Sequence, residues 1–126
     1  MTQPGHFFWC ELNTWNPEKA KEFYRRSVGW EFERIDNQDG EGDYWLCKAD
    51  DVPVAGILTY TSPQHDGAED VWIPYVAVDD VDKRVEIALD AGAKIRRETW
   101  DLPNVGRLAI LTAPDGAIVA LIQLKD

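Results

Sequence analysis

The first hydrophobic positions of the chain alternate with a second set of side chains, as they do in a β-strand. Phe8, Cys10 and Leu12 fall on one side of such a strand, and residues of mixed character fall on the other. Because successive side chains of a strand point to opposite faces of a sheet, this alternation predicts a strand over residues 6 to 13, with one face packed against helices.

A helix is predicted directly after this strand. Asn16 can accept hydrogen bonds from the free N–H groups at a helix start, and Pro17 suits the first helical position. Gly29 can adopt the left-handed conformation that commonly ends a helix. Between these limits the apolar residues recur at helical spacing: Ala20, Phe23, Tyr24 and Val28. Three further strands are predicted over residues 30 to 35, 44 to 49 and 54 to 60, with a turn at residues 50 to 53.

The same order of elements is predicted again in the second half. Residues 61 to 70 are polar and indicate a surface linker. After it, Asp79 or Asp80 is predicted to cap a second helix that Gly92 ends. A type I turn is predicted at Ala113-Pro114-Asp115-Gly116. The strands of this half are predicted over residues 71 to 78, 93 to 97, 107 to 112 and 117 to 123.

The two halves are related by a regular offset. Corresponding turn, cap and strand positions lie 63 residues apart, which indicates a repeated strand-helix-strand-strand-strand pattern rather than a repeated sequence. The matched pairs are Asn16 and Asp79, Gly29 and Gly92, Tyr44 and Arg107, and Val54 and Ala117.

Composition narrows the class of protein. A chain of 126 residues with 44% hydrophobic residues indicates one folded domain, residues 1 to 126. A net charge of −10 disfavours nucleic acid and anionic membrane surfaces as partners. No hydrophobic stretch is long enough to span a bilayer and no signal peptide is evident, so we expect a cytoplasmic protein. Cys10 and Cys47 are then expected to be free thiols.

Several motifs, taken in order, resemble one known family. They are Trp9-x-Glu11-Leu12-x-Thr14-x-Asn16-Pro17-x-x-Ala20-x-x-Phe23-Tyr24, Gly29-Trp30, residues 72 to 82, Gly106-Arg107 and residues 114 to 117. This arrangement resembles the vicinal oxygen chelate superfamily, which comprises glyoxalases, bleomycin-resistance proteins and dioxygenases. The resemblance implies an α+β fold of two βαβββ modules, about residues 5 to 61 and 70 to 125. Their strands would form a curved mixed sheet around a ligand-binding cup, with the helices outside, and the chain would form a homodimer.

The resemblance also locates the positions at which metal-dependent relatives bind their ion. The first strands supply Trp9 and Ile73, or Trp72 if the register slips by one residue. The last strand supplies Ala120, which the offset of 63 carries back to Ile57. None of these side chains can coordinate a cation, since such ions need imidazole, carboxylate or thiolate ligands. We therefore predict a cup with no metal and no cofactor, which disfavours a metal-dependent dioxygenase.

One carboxylate in the predicted cup is a candidate for chemistry. Glu11 shares a face with Trp9, and a buried carboxylate needs a partner or must bind a proton. Arg107 is the candidate partner, and the two residues are the predicted catalytic pair. The alternative interpretation is that Arg107 forms a structural salt bridge that fixes the strands.

Aromatic side chains are predicted to line the cup beside these residues. They could stack on planar or cationic ligands, or they could simply fill the cup as core. The aromatic candidates are Phe7, Trp9, Tyr44, Tyr75 and Trp100.

Two main functions remain open. The first is a metal-independent protein that binds a small aromatic or cationic organic molecule. The second is a glyoxalase-like lyase or isomerase in which Glu11 is the acid or base and Arg107 or Tyr75 holds an oxyanion. A third possibility is an interaction subunit with a closed cup. The predicted ligand-binding set for the first two is Phe7, Trp9, Glu11, Tyr44, Ile57, Ile73, Tyr75, Trp100, Arg107 and Ala120.

Overall fold

A computed structural model describes residues 3–36 and 42–125 of the chain. The chain separates into two compact units. The N-terminal unit comprises Trp9–Trp72, and the C-terminal unit comprises Ile73–Asp126 together with the segment that ends at Phe8. Each unit is described by itself below.

The strands of the N-terminal unit form a mixed four-stranded arrangement covered by one helix. The strands run in the order β2-β3-β4-β1, in which β1 and β4 are parallel and the other pairs are antiparallel. This is the predicted βαβββ pattern. The elements are β1 (Phe7–Thr14), α1 (Pro17–Val28), β2 (Glu31–Ile35), β3 (Tyr44–Ala49) and β4 (Val52–Thr59).

The C-terminal unit has the same topology. Its strands run in the order β5-β8-β7-β6, with β5 and β8 parallel and the other pairs antiparallel. Two βαβββ modules in one α+β chain are therefore confirmed. The elements are β5 (Val71–Ala77), α2 (Val81–Asp90), β6 (Lys94–Leu102), β7 (Gly106–Thr112) and β8 (Ile118–Leu124).

The helix N-caps form through the predicted hydrogen bonds, but their positions give a different spacing for the repeat. The Asn16 side chain accepts a hydrogen bond from the Lys19 N–H at 3.0 Å, and Gly29 ends α1 in the left-handed conformation. In α2 the capping residue is Asp80, which accepts from the backbone of Lys83. Equivalent positions of the two units are therefore 64 residues apart in this region, one more than predicted.

A two-residue turn joins β3 to β4, where the pattern predicted a turn of four residues. Asp50 and Asp51 have positive φ angles of 50° and 65°, as in the tight hairpin turns whose twist matches the flanking strands. Strand β4 consequently begins at Val52, and Pro53 lies inside it opposite Lys48, beside a β-bulge. A proline has no N–H to contribute to a ladder, and a bulge is a place where a strand accommodates one.

Strand β6 is longer than the predicted segment of residues 93 to 97. It continues to Leu102, but its register against β7 shifts twice, first between Ile95 and Arg97 and again between Arg97 and Trp100. Each β-bulge interrupts the alternation of side chains. The second part of the strand therefore lacked the period of two that would have revealed it.

Each unit has its own hydrophobic core between its sheet and its helix. In the N-terminal unit the core is rich in aromatic residues, whereas in the C-terminal unit it is aliphatic. The buried centre of the first consists of Leu12, Cys47, Ala55 and Ile57, and that of the second of Val81, Val85, Ala109 and Leu111.

Both cysteines are free thiols, as predicted. Cys47 is fully buried in the N-terminal core, and this burial raises the pKa of its thiol to about 12. It behaves as a small hydrophobic residue. Within residues 3–36 and 42–125, neither helix has the length and apolar character needed to cross a membrane.

Candidate functional site

The candidate site lies in the N-terminal unit, on the face of the sheet that points away from α1. We call this the helix-distal face. Leu12 points into the core under the helix, so its neighbours Glu11 and Asn13 point to the helix-distal face, as does Trp9. The parallel register places Glu11 opposite Gly56 on β4.

A chain of hydrogen bonds connects three side chains on this face. The Trp9 indole N–H donates to the Tyr44 hydroxyl with an Nε1–Oη distance of 3.3 Å. The Tyr44 hydroxyl in turn donates to the Glu11 carboxylate with an Oη–Oε2 distance of 2.9 Å. Glu11 is only 8% exposed, so the carboxylate is held in a nearly water-free position by a specific donor.

The protonation of Tyr44 is controlled by the same environment. Burial of the phenol raises its pKa above the usual value of 10.0, and the neighbouring charge of Glu11 raises it further. Tyr44 therefore keeps its proton at neutral pH and acts as a hydrogen-bond donor to the carboxylate.

Gly56 makes room for this arrangement. A β-carbon at this position would overlap the Tyr44 hydroxyl and lie 2.6 Å from Cζ of the ring. The site therefore requires a glycine here because the phenol occupies the space of a side chain. Gly56 was not predicted from the sequence, because its position opposite Glu11 depends on the register between β1 and β4.

Ile57 does not belong to the helix-distal face. It is fully buried in the core under α1, together with Leu12 and Cys47. The placement of Ile57 in the cup was wrong because the offset between the units is 64 here, and a shift of one residue moves a side chain to the opposite face of a strand. The residue equivalent to Ala120 is Gly56.

The C-terminal unit carries three of the predicted positions on its own helix-distal face. Ala120 lies opposite Tyr75 in the parallel pair of β5 and β8, and its neighbours Val119 and Leu121 pack towards α2. Ile73 and Ala120 are fully buried and Tyr75 is 7% exposed. Phe7, by contrast, is 72% exposed within the chain.

Arg107, the predicted partner of Glu11, has carboxylate partners within the C-terminal unit itself. Arg107 binds both carboxylate oxygens of Asp82, at 2.9 and 3.1 Å, and also Asp101 at 3.2 Å. These ion pairs raise the pKa of the guanidinium and lower that of Asp82. The arrangement corresponds to the alternative that sequence analysis left open, a structural salt bridge. Within the N-terminal unit, Tyr44 donates to Glu11.

Trp100 lies against a cation of its own unit. The Arg97 guanidinium carbon is 3.5 Å from the centre of the Trp100 ring, which is a cation–π contact. Trp100 itself pairs with Leu108 across β6 and β7. It therefore belongs to the C-terminal unit, as Tyr75 does.

The donor set at the family's metal positions does not fit a metal ion. With the corrected register, the positions that the resemblance to the family assigns to metal ligands are Trp9, Gly56, Ile73 and Ala120, and none of them carries an imidazole, carboxylate or thiolate group. Across the described ranges 3–36 and 42–125, no cluster of three or more His, Cys, Asp or Glu residues could hold a metal.

Comparisons with known proteins agree with this fold. The chain is 34% identical over 123 residues to "Putative glyoxylase CFP32" of Mycobacterium tuberculosis, covering 98% of this chain and 46% of that protein. It is 26% identical over 129 residues to the "Anthracycline biosynthesis protein DnrV" of Streptomyces peucetius, covering 94% of this chain and 46% of that protein. The chain thus spans about half the length of the curated relatives it matches.

A solved structure gives the same fold. A variant of methylmalonyl-CoA epimerase from Streptomyces coelicolor superposes with a TM-score of 0.64 at 16% identity, covering 98% of this chain and 100% of that one. The profile of the Glyoxalase/Bleomycin resistance protein/Dioxygenase superfamily matches residues 6–121. The chain therefore belongs to the Glyoxalase/Bleomycin resistance protein/Dioxygenase superfamily.

Proposed function

We propose that this domain binds a small aromatic or cationic organic molecule, without a metal ion, on the helix-distal face of the N-terminal unit. The observation that supports the proposal best is the hydrogen bond from Tyr44 to the nearly buried Glu11. A carboxylate stabilised in a dry position attracts a cation more strongly than one in water does. Trp9 and Tyr44 add ring surfaces next to that charge, on which a planar or cationic group can stack.

Two further observations agree with this ligand class. The net charge of −10 produces a field that attracts cations and repels anions. The name of DnrV connects that relative with the biosynthesis of anthracyclines, which are polycyclic aromatic compounds.

The proposal is tested by titrating the protein with benzylammonium and with the uncharged benzyl alcohol, using calorimetry and tryptophan fluorescence. We expect benzylammonium to bind more tightly, and Glu11→Gln to weaken its binding about tenfold or more, because the variant keeps the shape of the side chain but not its charge. Glu86→Gln, which changes an exposed carboxylate on α2, is the matched control and leaves binding unchanged.

Three results would contradict the proposal. Stoichiometric zinc, nickel or iron in the purified protein would point to metal chemistry. Absence of binding across a varied set of aromatic probes would favour the closed interaction subunit. Equal binding of the two probes would remove the role of the carboxylate.

A second candidate is a glyoxalase-like isomerase or lyase, which the name of CFP32 and the family favour. In this reaction Glu11 would take a proton from a carbon next to a carbonyl group and return it to the neighbouring atom, while Tyr44 would hold the carboxylate in place. Incubation with methylglyoxal and glutathione in deuterated water tests this. Product formation that Glu11→Gln abolishes would support catalysis, and the absence of turnover would leave the binding protein as the function.

We also propose that the domain forms a homodimer, as the resemblance to the family implies. Light scattering coupled to size-exclusion chromatography measures this directly. A mass of about 14.3 kDa across the tested concentrations would show a monomer instead.

A further inference from the structure

One buried polar atom next to the Glu11 site has no explanation within the fold. Asn13 is 6% exposed, and its side-chain oxygen Oδ1 finds no hydrogen-bond partner among the residues that the structure describes. A buried acceptor without a partner destabilises a folded protein, so such groups are rare unless a ligand or another function requires them.

The position of Asn13 relates this atom to the candidate site. Asn13 lies two residues after Glu11 on β1 and opposite Leu58 on β4, so it shares the helix-distal face with Glu11. Residues two apart on a strand are separated by about 7 Å along the chain. A carboxylate and a carbonyl oxygen therefore lie in one row, and both accept hydrogen bonds.

The oxygens of Glu11 and Asn13 would distinguish cations that carry N–H groups from cations that do not. A quaternary ammonium ion carries charge but has no N–H group, so the Glu11 carboxylate can attract it, but it gives the Asn13 oxygen no hydrogen bond. A primary ammonium, amidinium or guanidinium group can donate to both oxygens. A site that is built to hydrogen-bond its ligand rejects analogues that lack the donor, because its buried polar groups are then left without partners.

We propose that Asn13 determines specificity, and that the ligand is an aromatic cation that donates N–H hydrogen bonds to both Glu11 and Asn13. This inference rests on the proposed binding function and names the ligand class more narrowly. Asn13 is a binding residue in it, and no reaction step is assigned to it.

The test compares two aromatic cations of equal charge, benzamidinium and benzyltrimethylammonium, by calorimetry on the whole chain. We expect the wild-type protein to bind benzamidinium about tenfold more tightly than the quaternary ion. Asn13→Leu should weaken benzamidinium about tenfold, leave the quaternary ion unchanged, and unfold at an equal or higher urea concentration, since it removes an unpaired buried acceptor.

Two further variants keep the test decisive. Asn13→Asp retains acceptor oxygens at this position and should bind benzamidinium at least as tightly as the wild type. Thr59→Val is the matched control, since its hydroxyl is also buried without a partner but belongs to the opposite face of β4, as its neighbour Ile57 does. This variant should not change the preference between the two probes.

The outcomes separate the two proposals. If both probes bind equally well to the wild type, or if Asn13→Leu leaves their ratio unchanged, the inference about Asn13 is wrong while the binding function stands. If neither probe binds, the proposed function fails and the inference fails with it.

Discussion

The two units repeat one backbone pattern, yet their helix-distal faces carry different chemistry. With the offset of 64, four of the five positions compared carry an aliphatic residue in the C-terminal unit. The fifth position, that of Glu11, carries a tyrosine. The corresponding pairs are Trp9 and Ile73, Glu11 and Tyr75, Asn13 and Ala77, Tyr44 and Leu108, and Gly56 and Ala120.

The residues of the two faces contribute differently to the stability of the fold. The C-terminal residues at these positions are all 7% exposed or less, so their main contribution is hydrophobic burial. The N-terminal positions bury a carboxylate and an unpaired amide oxygen, which stabilise nothing unless they are hydrogen-bonded. The N-terminal face therefore holds a buried carboxylate that accepts from Tyr44 and an amide oxygen without a described donor, whereas four aliphatic residues and Tyr75 occupy the C-terminal positions.

The largest effect on stability is expected from truncating a buried side chain on the helix-distal face of the C-terminal unit. Ile122 on β8 is 1% exposed, and Ile122→Ala should lower the free energy of unfolding by about 2–5 kcal/mol through lost burial and the cavity left behind. Urea unfolding measures this change. Ile87→Ala, at a position that is 48% exposed on α2, is the control and should change stability far less. Equal losses in both variants would refute the assignment of this face to the core.

Gly56→Ala should make the N-terminal face resemble its counterpart, which carries Ala120. The new methyl group would overlap Tyr44, so the phenol must move and its hydrogen bonds with Trp9 and Glu11 are lost. We expect a loss of about 3 kcal/mol by urea unfolding, from overpacking together with the broken bonds. In a Tyr44→Ala background the same substitution should cost little, and a full cost there would show that Tyr44 is not the cause.

Tyr44→Phe removes both hydrogen bonds of the hydroxyl, the one it donates to the Glu11 carboxylate and the longer one it accepts from the Trp9 indole. A bond to a charged group contributes more than a neutral one, so this variant should lose about 1.5–3 kcal/mol of stability. Tyr24→Phe is the matched control, because its hydroxyl accepts a neutral bond from the Trp72 indole at 2.9 Å and should cost about 1 kcal/mol. Thermal and urea unfolding of both variants measure the difference, and equal losses would argue against an ionised Glu11.

The smallest effect concerns an exposed ion pair of the C-terminal unit, between Asp79 and Arg84. Hydrogen bonding from Arg84 lowers the pKa of Asp79 from 3.8 to about 2. Because the folded pKa is lowered, the associated stability is present above pH 3.8 and is lost as the pH falls towards 2. Arg84→Met should therefore show a shallower loss of melting temperature over this range than the wild type. Parallel curves would show that the pair contributes nothing.

Much of the fold was predictable because it depends on local chemistry. Asn16 and Gly29 delimit α1 through capping and backbone conformation, which neighbouring residues alone determine. The second part of β6 was not predictable from alternation, because two bulges shift its register against β7.

Three residues that the sequence analysis named for the cup are brought together by the structure. They are Trp9, Glu11 and Tyr44, which one chain of hydrogen bonds connects. The hydrogen bonds from Tyr44 to Glu11 and from Arg107 to Asp82 were not predicted, because nothing local to these residues indicates which distant element lies beside them.

The sequence by itself determined the order of elements, their repetition in two halves and the family, because each depends on residue type and order along the chain. Only the tertiary structure decided that Tyr44 donates to Glu11, that Gly56 and not Ile57 faces them, and that Asn13 is buried without a partner. Those facts depend on the register between strands far apart in sequence. A change of one residue in that register exchanges the two faces of a sheet.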